Sequence, residues 1–202
     1  MEQFFKITGN LADIFMGIAL IFAVLKFNLF NKKEKWYIYY AIFVFCIEML
    51  LFFKIKWKNE ILYPIYISGE FFLMTGIFIQ KLNLKKYYLI FTGTLSLLIL
   101  CLSQILPHFE NDYSKAISNL VIVSFIAFSL IHEIKNYRDR SNFLFIDAMA
   151  FLYYTVSIFI FIFQHQLVTF DPNYFYIFWI INNTLLAIFY FTFLYTFFKL
   201  KK

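Results

Sequence analysis

Seven long apolar segments separated by short polar connectors constrain the fold of this chain more than any other feature of its sequence. A bilayer core about 30 Å thick is crossed by a helix of roughly 20 apolar residues, which each segment can supply. Helices are predicted over about 8–30, 36–56, 60–80, 86–106, 114–134, 143–168 and 172–198. Because the connectors are short, sequential helices are expected to be antiparallel neighbours. The sequence therefore predicts an all-α, polytopic membrane protein, a compact bundle of seven transmembrane helices forming a single transmembrane domain over 1–202.

The composition leaves no room for a soluble domain beside these helices. Hydrophobic residues make up 62% of the 202 residues and charged residues 15%, whereas an ordinary globular chain has about 25% charged residues. Seven spans of roughly 20 residues use about 140 of them, and the remainder is too short for a kinase, DNA-binding or nucleotide-binding domain. Asp13 interrupts the first apolar run and no small-residue cleavage pattern follows, so we expect this segment to be retained as a helix. Function is therefore expected inside the membrane or through a partner protein.

The distribution of Lys and Arg predicts the orientation of the bundle. In the predicted topology, 13 of the 18 basic residues lie on the side of the C-terminus and five lie on the side of the N-terminus. These five are Lys6, Lys54, Lys56, Lys58 and Lys115. Because cytoplasmic loops carry the excess of Lys and Arg, the N-terminus is predicted outside and the C-terminus in the cytoplasm, in the cell (inner) membrane. The formal charge of +6 then follows from topology, and no nucleic-acid partner is expected.

Polar side chains are concentrated in the outer half of the predicted bundle. Three carboxylates are predicted roughly 8–15 Å below the outer boundary, from a rise of about 1.5 Å per residue. They are Asp13, Glu48 and Glu70, and the amides of Asn119, Asn182 and Asn183 lie at similar depths. Ionisable groups at such depths usually face a bundle interior or a water-filled cavity. We therefore predict an outward-facing polar cavity for a small ligand or cation. The alternative is that these groups form interhelical hydrogen bonds that only fix packing.

The sixth predicted helix carries a polar stripe along one face. Its members recur at steps of three or four residues, the spacing that places side chains on one side of a helix. They are Asp147, Tyr154, Ser157, Gln164 and His165. The stripe could line a proton or ion route with Asp147 as its inner gate. Alternatively, Asp147 lies about one turn inside the membrane and reaches Arg138 or Arg140. Small residues elsewhere, including Gly69 and Gly76, are predicted to be close-packing seams.

Several catalytic and cofactor chemistries lack the residues they require. The sequence contains no HExxH pair of histidines, GxSxG elbow, Walker loop or GxGxxG motif. A retinal Schiff base would need a lysine deep in the seventh helix, whereas Lys199 lies at its end. Cys46 and Cys101 fall in separate apolar runs without metal-ligand spacing. We therefore expect no cofactor and no metal site.

Three functional hypotheses remain compatible with the sequence. The leading one is a non-enzymatic regulatory or sensory membrane component, such as an accessory of a bacterial sensor or defence system, which acts through a protein partner. The alternative is a small secondary transporter or an ion- or proton-conducting protein, including an oligomeric channel, that uses Asp13, Glu48 and Glu70. The third is a membrane-embedded lipid enzyme, because carboxylates alone can perform acid–base catalysis. The expected partners are the lipid bilayer, another protein or further copies of the chain, and a small ligand or cation.

Overall fold

Long charge-poor segments fold as helices because a helix satisfies all of its backbone hydrogen bonds internally. A computed structural model describes residues 1–52, 59–105, 111–135, 141–169 and 172–200. In this part of the chain, seven long α-helices and the short 3-10 helix Phe27–Leu29 are present. The α-helices are α1 Glu2–Leu25, α2 Lys35–Phe52, α3 Asn59–Lys81, α4 Lys86–Ile105, α5 Asn111–Lys135, α6 Leu144–Thr169 and α7 Pro172–Lys199. Residues 53–56 of the predicted second helix and 106 of the fourth lie outside the described residues.

The first helix is displaced towards the N-terminus from its predicted range of 8–30. It begins at Glu2, whose carboxylate pairs with Lys6 one turn later, with Nζ and Oε1 2.6 Å apart. It ends at Leu25 because Lys26 turns away to donate hydrogen bonds to the carbonyl oxygens of Phe198, at 2.5 Å, and Leu200, at 2.8 Å. These two acceptors are carbonyl groups at the C-terminus of α7, where a cation is favoured. The prediction of a single helix to residue 30 is therefore wrong.

Six helices form a closed ring around the interior of the bundle. Following the packed neighbours, the order is α1, α2, α3, α5, α6 and α7, with α7 packed extensively against α1. Helix α4 lies outside this ring, mainly against α3. The contact of Lys26 with Phe198 and Leu200 brings the ends of α1 and α7 together. The end of the bundle that carries Met1 is called the Met1 end below, and the opposite one the Leu200 end.

Within the described residues, six helices are long and apolar enough to cross a membrane: α1, α3, α4, α5, α6 and α7. Large apolar side chains are exposed along the outside of the bundle, for example Ile21, Val24 and Ile90. Such a surface suits contact with lipid and not with water. These features indicate a helical membrane protein. Eighteen residues of α2 are described, up to Phe52, and the count of seven spans and their orientation stay predictions.

The centre of the ring is filled by aromatic side chains. Phe189 stands at its middle, with its ring stacked on Tyr153 at a centroid distance of 5.8 Å and a T-shaped contact to Phe193 at 5.1 Å. The Tyr40 ring stacks on Phe193 at 5.9 Å. Large buried rings fill space well but leave the phenol hydroxyls in need of partners. Among the tyrosines of the core, Tyr154 donates to Glu70 and Tyr37 donates to Asp147.

Candidate functional site: a charged and aromatic cavity

A cavity of about 600 Å³ opens between α2, α3, α5, α6 and α7 in the half of the bundle nearer the Met1 end. Its polar lining consists of Glu48, Lys115, Asn182 and Asn183. Its aromatic lining consists of Tyr63, Tyr66, Tyr153, Phe161 and Trp179. This volume and mixture of apolar walls with a few polar groups are typical of sites for small organic molecules.

A buried ion pair forms one wall of the cavity. Lys115 and Glu70 are each only 1% exposed, and the Lys115 ammonium donates to Oε2 of Glu70. The other carboxylate oxygen, Oε1, accepts hydrogen bonds from the hydroxyls of Tyr154, at 2.8 Å, and Tyr66, at 3.1 Å. The Lys115 ammonium also lies 4.5 Å from the centroid of the Tyr66 ring. Because both charges are paired and hydrogen-bonded, the cost of removing them from water is offset.

Other polar atoms at the cavity have no partner among the described residues. Asn182 is 4% exposed, and its Oδ1 accepts no hydrogen bond in the described part of the chain. The indole Nε1 of Trp179 is likewise a buried donor without an acceptor there. Buried polar groups are normally hydrogen-bonded, so each exception calls for an explanation. A ligand in the cavity would supply both the donor and the acceptor.

A lateral groove of about 820 Å³ runs between α1 and α2 beside the cavity. Its lining is mainly apolar, with the carboxylates of Asp13 and Glu48 as its two charged groups. Glu48 lines both the groove and the cavity. Neither carboxylate forms a hydrogen bond or ion pair with another described residue. The groove and the cavity therefore meet at a carboxylate that has no partner among the described residues.

The structure distributes the six predicted cavity residues over three environments. Glu48, Asn182 and Asn183 line the cavity, and Glu70 lies beside it, paired with Lys115. Asn119 is fully buried and its Nδ2 donates to the Ser157 hydroxyl at 3.1 Å. Asp13 lines the lateral groove and not the cavity. The predicted single cluster of three carboxylates is thus divided, since Glu70 has its own cation and the other two share the groove.

Sequence reasoning missed Lys115 and the aromatic walls. With the fifth helix predicted from residue 114, Lys115 is counted among the basic residues at the outer side of the membrane. Helix α5 begins at Asn111, so Lys115 lies a full turn inside the helix. The signal that could have found it is the spacing of four residues to Asn119, which places both side chains on one face. The aromatic walls gave no signal, because Phe and Tyr are abundant throughout the chain.

A second charged network lies at the Leu200 end of the same bundle. Asp147 is fully buried, accepts a hydrogen bond from the Tyr37 hydroxyl at 2.6 Å and pairs with the Lys81 ammonium. Lys81 also pairs with Glu133, with Nζ and Oε1 2.7 Å apart. Tyr37, Lys81 and Glu133 line a cavity of about 340 Å³. The predicted partners of Asp147, Arg138 and Arg140, lie outside the described residues.

The polar stripe of α6 faces the interior of the bundle. Asp147, Tyr154 and Ser157 are all fully buried, and Gln164 is half-buried. The side chain of His165 lies outside the described residues. Tyr154 donates its hydroxyl hydrogen to Glu70, so the 3.3 Å contact between the Tyr40 and Tyr154 hydroxyls has Tyr40 as the donor. The stripe therefore takes part in both charged networks, Tyr154 in one and Asp147 in the other.

The fold and the site together define a helical membrane protein with an internal cavity lined by charged, amide and aromatic side chains. No protein-family model, curated protein or solved structure matches the chain. Within the described residues, no group of three or more His, Cys, Asp or Glu side chains could hold a metal ion.

Proposed function

We propose that the chain is a non-enzymatic regulatory or sensory membrane component that binds a small ligand in the 600 Å³ cavity and acts through a protein partner. With the Met1 end outside, as the basic residues predict, the cavity lies in the outer half of the bundle. The observation that carries the proposal is a pair of buried polar atoms at the cavity, Asn182 Oδ1 and Trp179 Nε1, that have no hydrogen-bond partner among the described residues. A bound molecule would satisfy both, and an empty cavity leaves their desolvation uncompensated.

Helices α3, α5 and α6 offer a route from the cavity to the opposite face. At the Met1 end they are joined by Glu70 of α3, Lys115 of α5 and Tyr154 of α6. At the Leu200 end the same helices are joined by Lys81, Glu133 and Asp147. A ligand that accepts hydrogen bonds from the Lys115 ammonium would change the relative positions of these helices. Small helix shifts are a known form of switching. The signal would then reach a partner at the Leu200 end.

A cavity-filling substitution tests the proposal before any ligand is known. In a strain lacking the gene, wild-type protein is expected to restore the transcript profile that the deletion alters, and Asn182→Phe, which fills the cavity, is expected to fail to restore it. The matched control is Ile181→Phe, because Ile181 is 45% exposed on the outer surface of the same helix. It is expected to behave as wild type at equal membrane abundance. Full complementation by Asn182→Phe would rule out the cavity as the functional site.

A transporter or ion-conducting protein is the second candidate, favoured by the two carboxylates without a partner among the described residues. Because Glu70 is already paired with Lys115, the groups available for a coupling cation are Asp13 and Glu48. Purified protein in liposomes tests this. Flux of protons or sodium ions that Glu48→Gln abolishes would replace the regulatory proposal, and absence of flux would count against transport. The third hypothesis, a lipid enzyme, stays a prediction.

A further inference from the structure

The cavity contains a carboxylate without a counterion among the described residues. Lys115 and Glu70 neutralise each other, and Glu48 remains without a partner among the described residues. Asp13 adds a second unpaired carboxylate on the groove side of Glu48. An ionised group in a low-dielectric environment is costly unless an opposite charge accompanies it. The site is therefore complementary to a cation, and a cation would also relieve the repulsion between the two carboxylates.

The hydrogen-bonding groups of the cavity indicate which polar groups a ligand should carry, in addition to its charge. The Glu48 carboxylate and the Oδ1 of Asn182, a side chain 4% exposed, are acceptors without donors among the described residues. A primary ammonium group, with three N–H donors, can satisfy both acceptors. The buried Nε1 of Trp179 is a donor, which an ether, hydroxyl or carbonyl oxygen on the same molecule would satisfy.

The aromatic walls favour an organic cation over a metal ion. Tyr63, Tyr66, Tyr153 and Trp179 line the cavity, and the faces of such rings attract cations. Calcium or magnesium instead requires about six or more closely spaced oxygen ligands. A volume of about 600 Å³ is also far larger than a bare ion and suits a small organic molecule.

The lateral groove indicates where such a molecule comes from. Its α1 wall includes Ile14, Ile18 and Ile21, whose side chains are exposed on the outer surface of the bundle. The groove shares Glu48 with the cavity, so an apolar tail can lie along α1 while a charged head contacts that carboxylate. Amphiphilic amines concentrate at bilayers, where apolar burial and charge act together.

We propose that the cavity binds an amphiphilic primary amine, with Glu48 as the counterion of its ammonium group and Asn182 as a second acceptor. This proposal rests on the proposed ligand-binding function and names the chemical class of the ligand. Protonated phenethylamine is a suitable probe, because it combines a primary ammonium with a ring that matches the aromatic walls. Two isosteres differ from it in the charge of the head group: neutral 2-phenylethanol and anionic 3-phenylpropionate.

The experiment measures binding of these three probes to the full chain in phosphatidylcholine nanodiscs by tryptophan fluorescence, with Trp179→Phe identifying the signal from the cavity. Phenethylamine is expected to quench saturably and at least about tenfold more tightly than either isostere. Glu48→Gln is expected to weaken phenethylamine binding by about tenfold or more. The matched control is Glu2→Gln, an exposed carboxylate at the same end, which is expected to leave binding unchanged.

The probe comparison uses the wild-type chain, so it decides the proposal even if Glu48→Gln does not fold. Equal or tighter binding of the alcohol or the carboxylate overturns the amine assignment and leaves the cavity as a ligand site. Undiminished amine binding by folded Glu48→Gln also overturns it. If none of the three probes binds, the amine assignment is again overturned, and the regulatory proposal is judged separately by complementation with Asn182→Phe.

Discussion

At the scale of single residues, the Glu70–Lys115 pair is the feature on which the interior of the bundle depends. Both carboxylate oxygens of Glu70 are used: Oε2 accepts from Lys115, and Oε1 accepts from the hydroxyls of Tyr66 and Tyr154. A fully hydrogen-bonded ion pair approximately balances its desolvation cost, whereas one half of it alone does not. The intact pair therefore contributes little to the free energy of unfolding, but the loss of either partner alone is strongly destabilising.

Removing Lys115 alone is expected to destabilise the protein strongly. Lys115→Ala leaves the Glu70 carboxylate buried without its cation, which costs about 3–5 kcal/mol. Thermal unfolding of the detergent-solubilised protein should show a large decrease in melting temperature. The double variant Lys115→Met with Glu70→Gln should recover most of the lost melting temperature, because neither side chain of the pair then carries a buried charge.

An exposed ion pair on the same side of the molecule is the control for that measurement. Lys6 and Glu2 pair one turn apart on α1, but both side chains are more than half exposed. Lys6→Ala is therefore expected to leave the melting temperature unchanged, as for most surface pairs. If Lys115→Ala were equally silent, the pair could not be buried as described.

The sequence predicted which polar residues lie at depth but not how they pair. Glu48, Asn182 and Asn183 could be selected from charge and position alone, because such side chains are rare inside apolar helices. Lys115 could not, since a lysine near a predicted helix end is normally assigned to the membrane surface. To place Lys115 inside the bundle, the first residue of α5 had to be known. Helix boundaries are the least certain part of a prediction from sequence.

At the scale of elements, two glycines of α3 form the contact surface with α2. The Phe43 ring lies over Gly69 and the Trp36 ring lies over Gly76, so that a methyl group at either position would overlap a ring. Small residues allow such close approach between membrane helices, where lipid provides no hydrophobic drive for association. Both contacts lie on one side of α3, seven residues apart, as expected for a helix seam.

Substitution of Gly76 is expected to disturb this seam. Gly76→Ala pushes the Trp36 ring away, and overpacking of this kind costs about 1–3 kcal/mol. The matched control is Gly93→Ala in α4, where the added carbon would lie 3.4 Å from the Phe72 ring, an ordinary contact. That variant should be neutral or stabilising, since alanine is the better helix former. Equal melting temperatures for the two variants would contradict the packing of Trp36 on Gly76.

The order of the helices around the ring was beyond sequence analysis. All seven segments are mainly apolar on both their lipid-facing and their inward-facing sides, because both the lipid and the bundle interior favour apolar side chains. Helix α4 is as hydrophobic as its neighbours, yet it lies outside the ring, where Ser96 exchanges hydrogen bonds with Ser68 of α3. A surface helix of a soluble protein would have shown its position through a polar face. The number and approximate extent of the elements were predictable, but their arrangement was not.

At the scale of the whole molecule, an odd number of spans requires the termini to lie on opposite sides of the membrane. Within the described residues, six helices are long and apolar enough to cross, and α2, of which 18 residues are described, decides whether the number is six or seven. At about 1.5 Å per residue, 18 residues extend about 27 Å, close to the thickness of the hydrocarbon core. Seven spans also agree with the antiparallel sequence of helices that the short connectors impose.

Labelling of single cysteines tests both the number of spans and the orientation. In a background of Cys46→Ser and Cys101→Ser, cysteine replaces one exposed residue at a time: Gln3, Lys32 or Lys199. A membrane-impermeant maleimide should label Gln3→Cys in intact cells, and Lys32→Cys and Lys199→Cys only after permeabilisation, because the basic end is predicted in the cytoplasm. Labelling of Gln3→Cys and Lys199→Cys from the same side would establish an even number of spans. The reverse pattern for all three would invert the bundle, and the cavity would then open towards the cytoplasm.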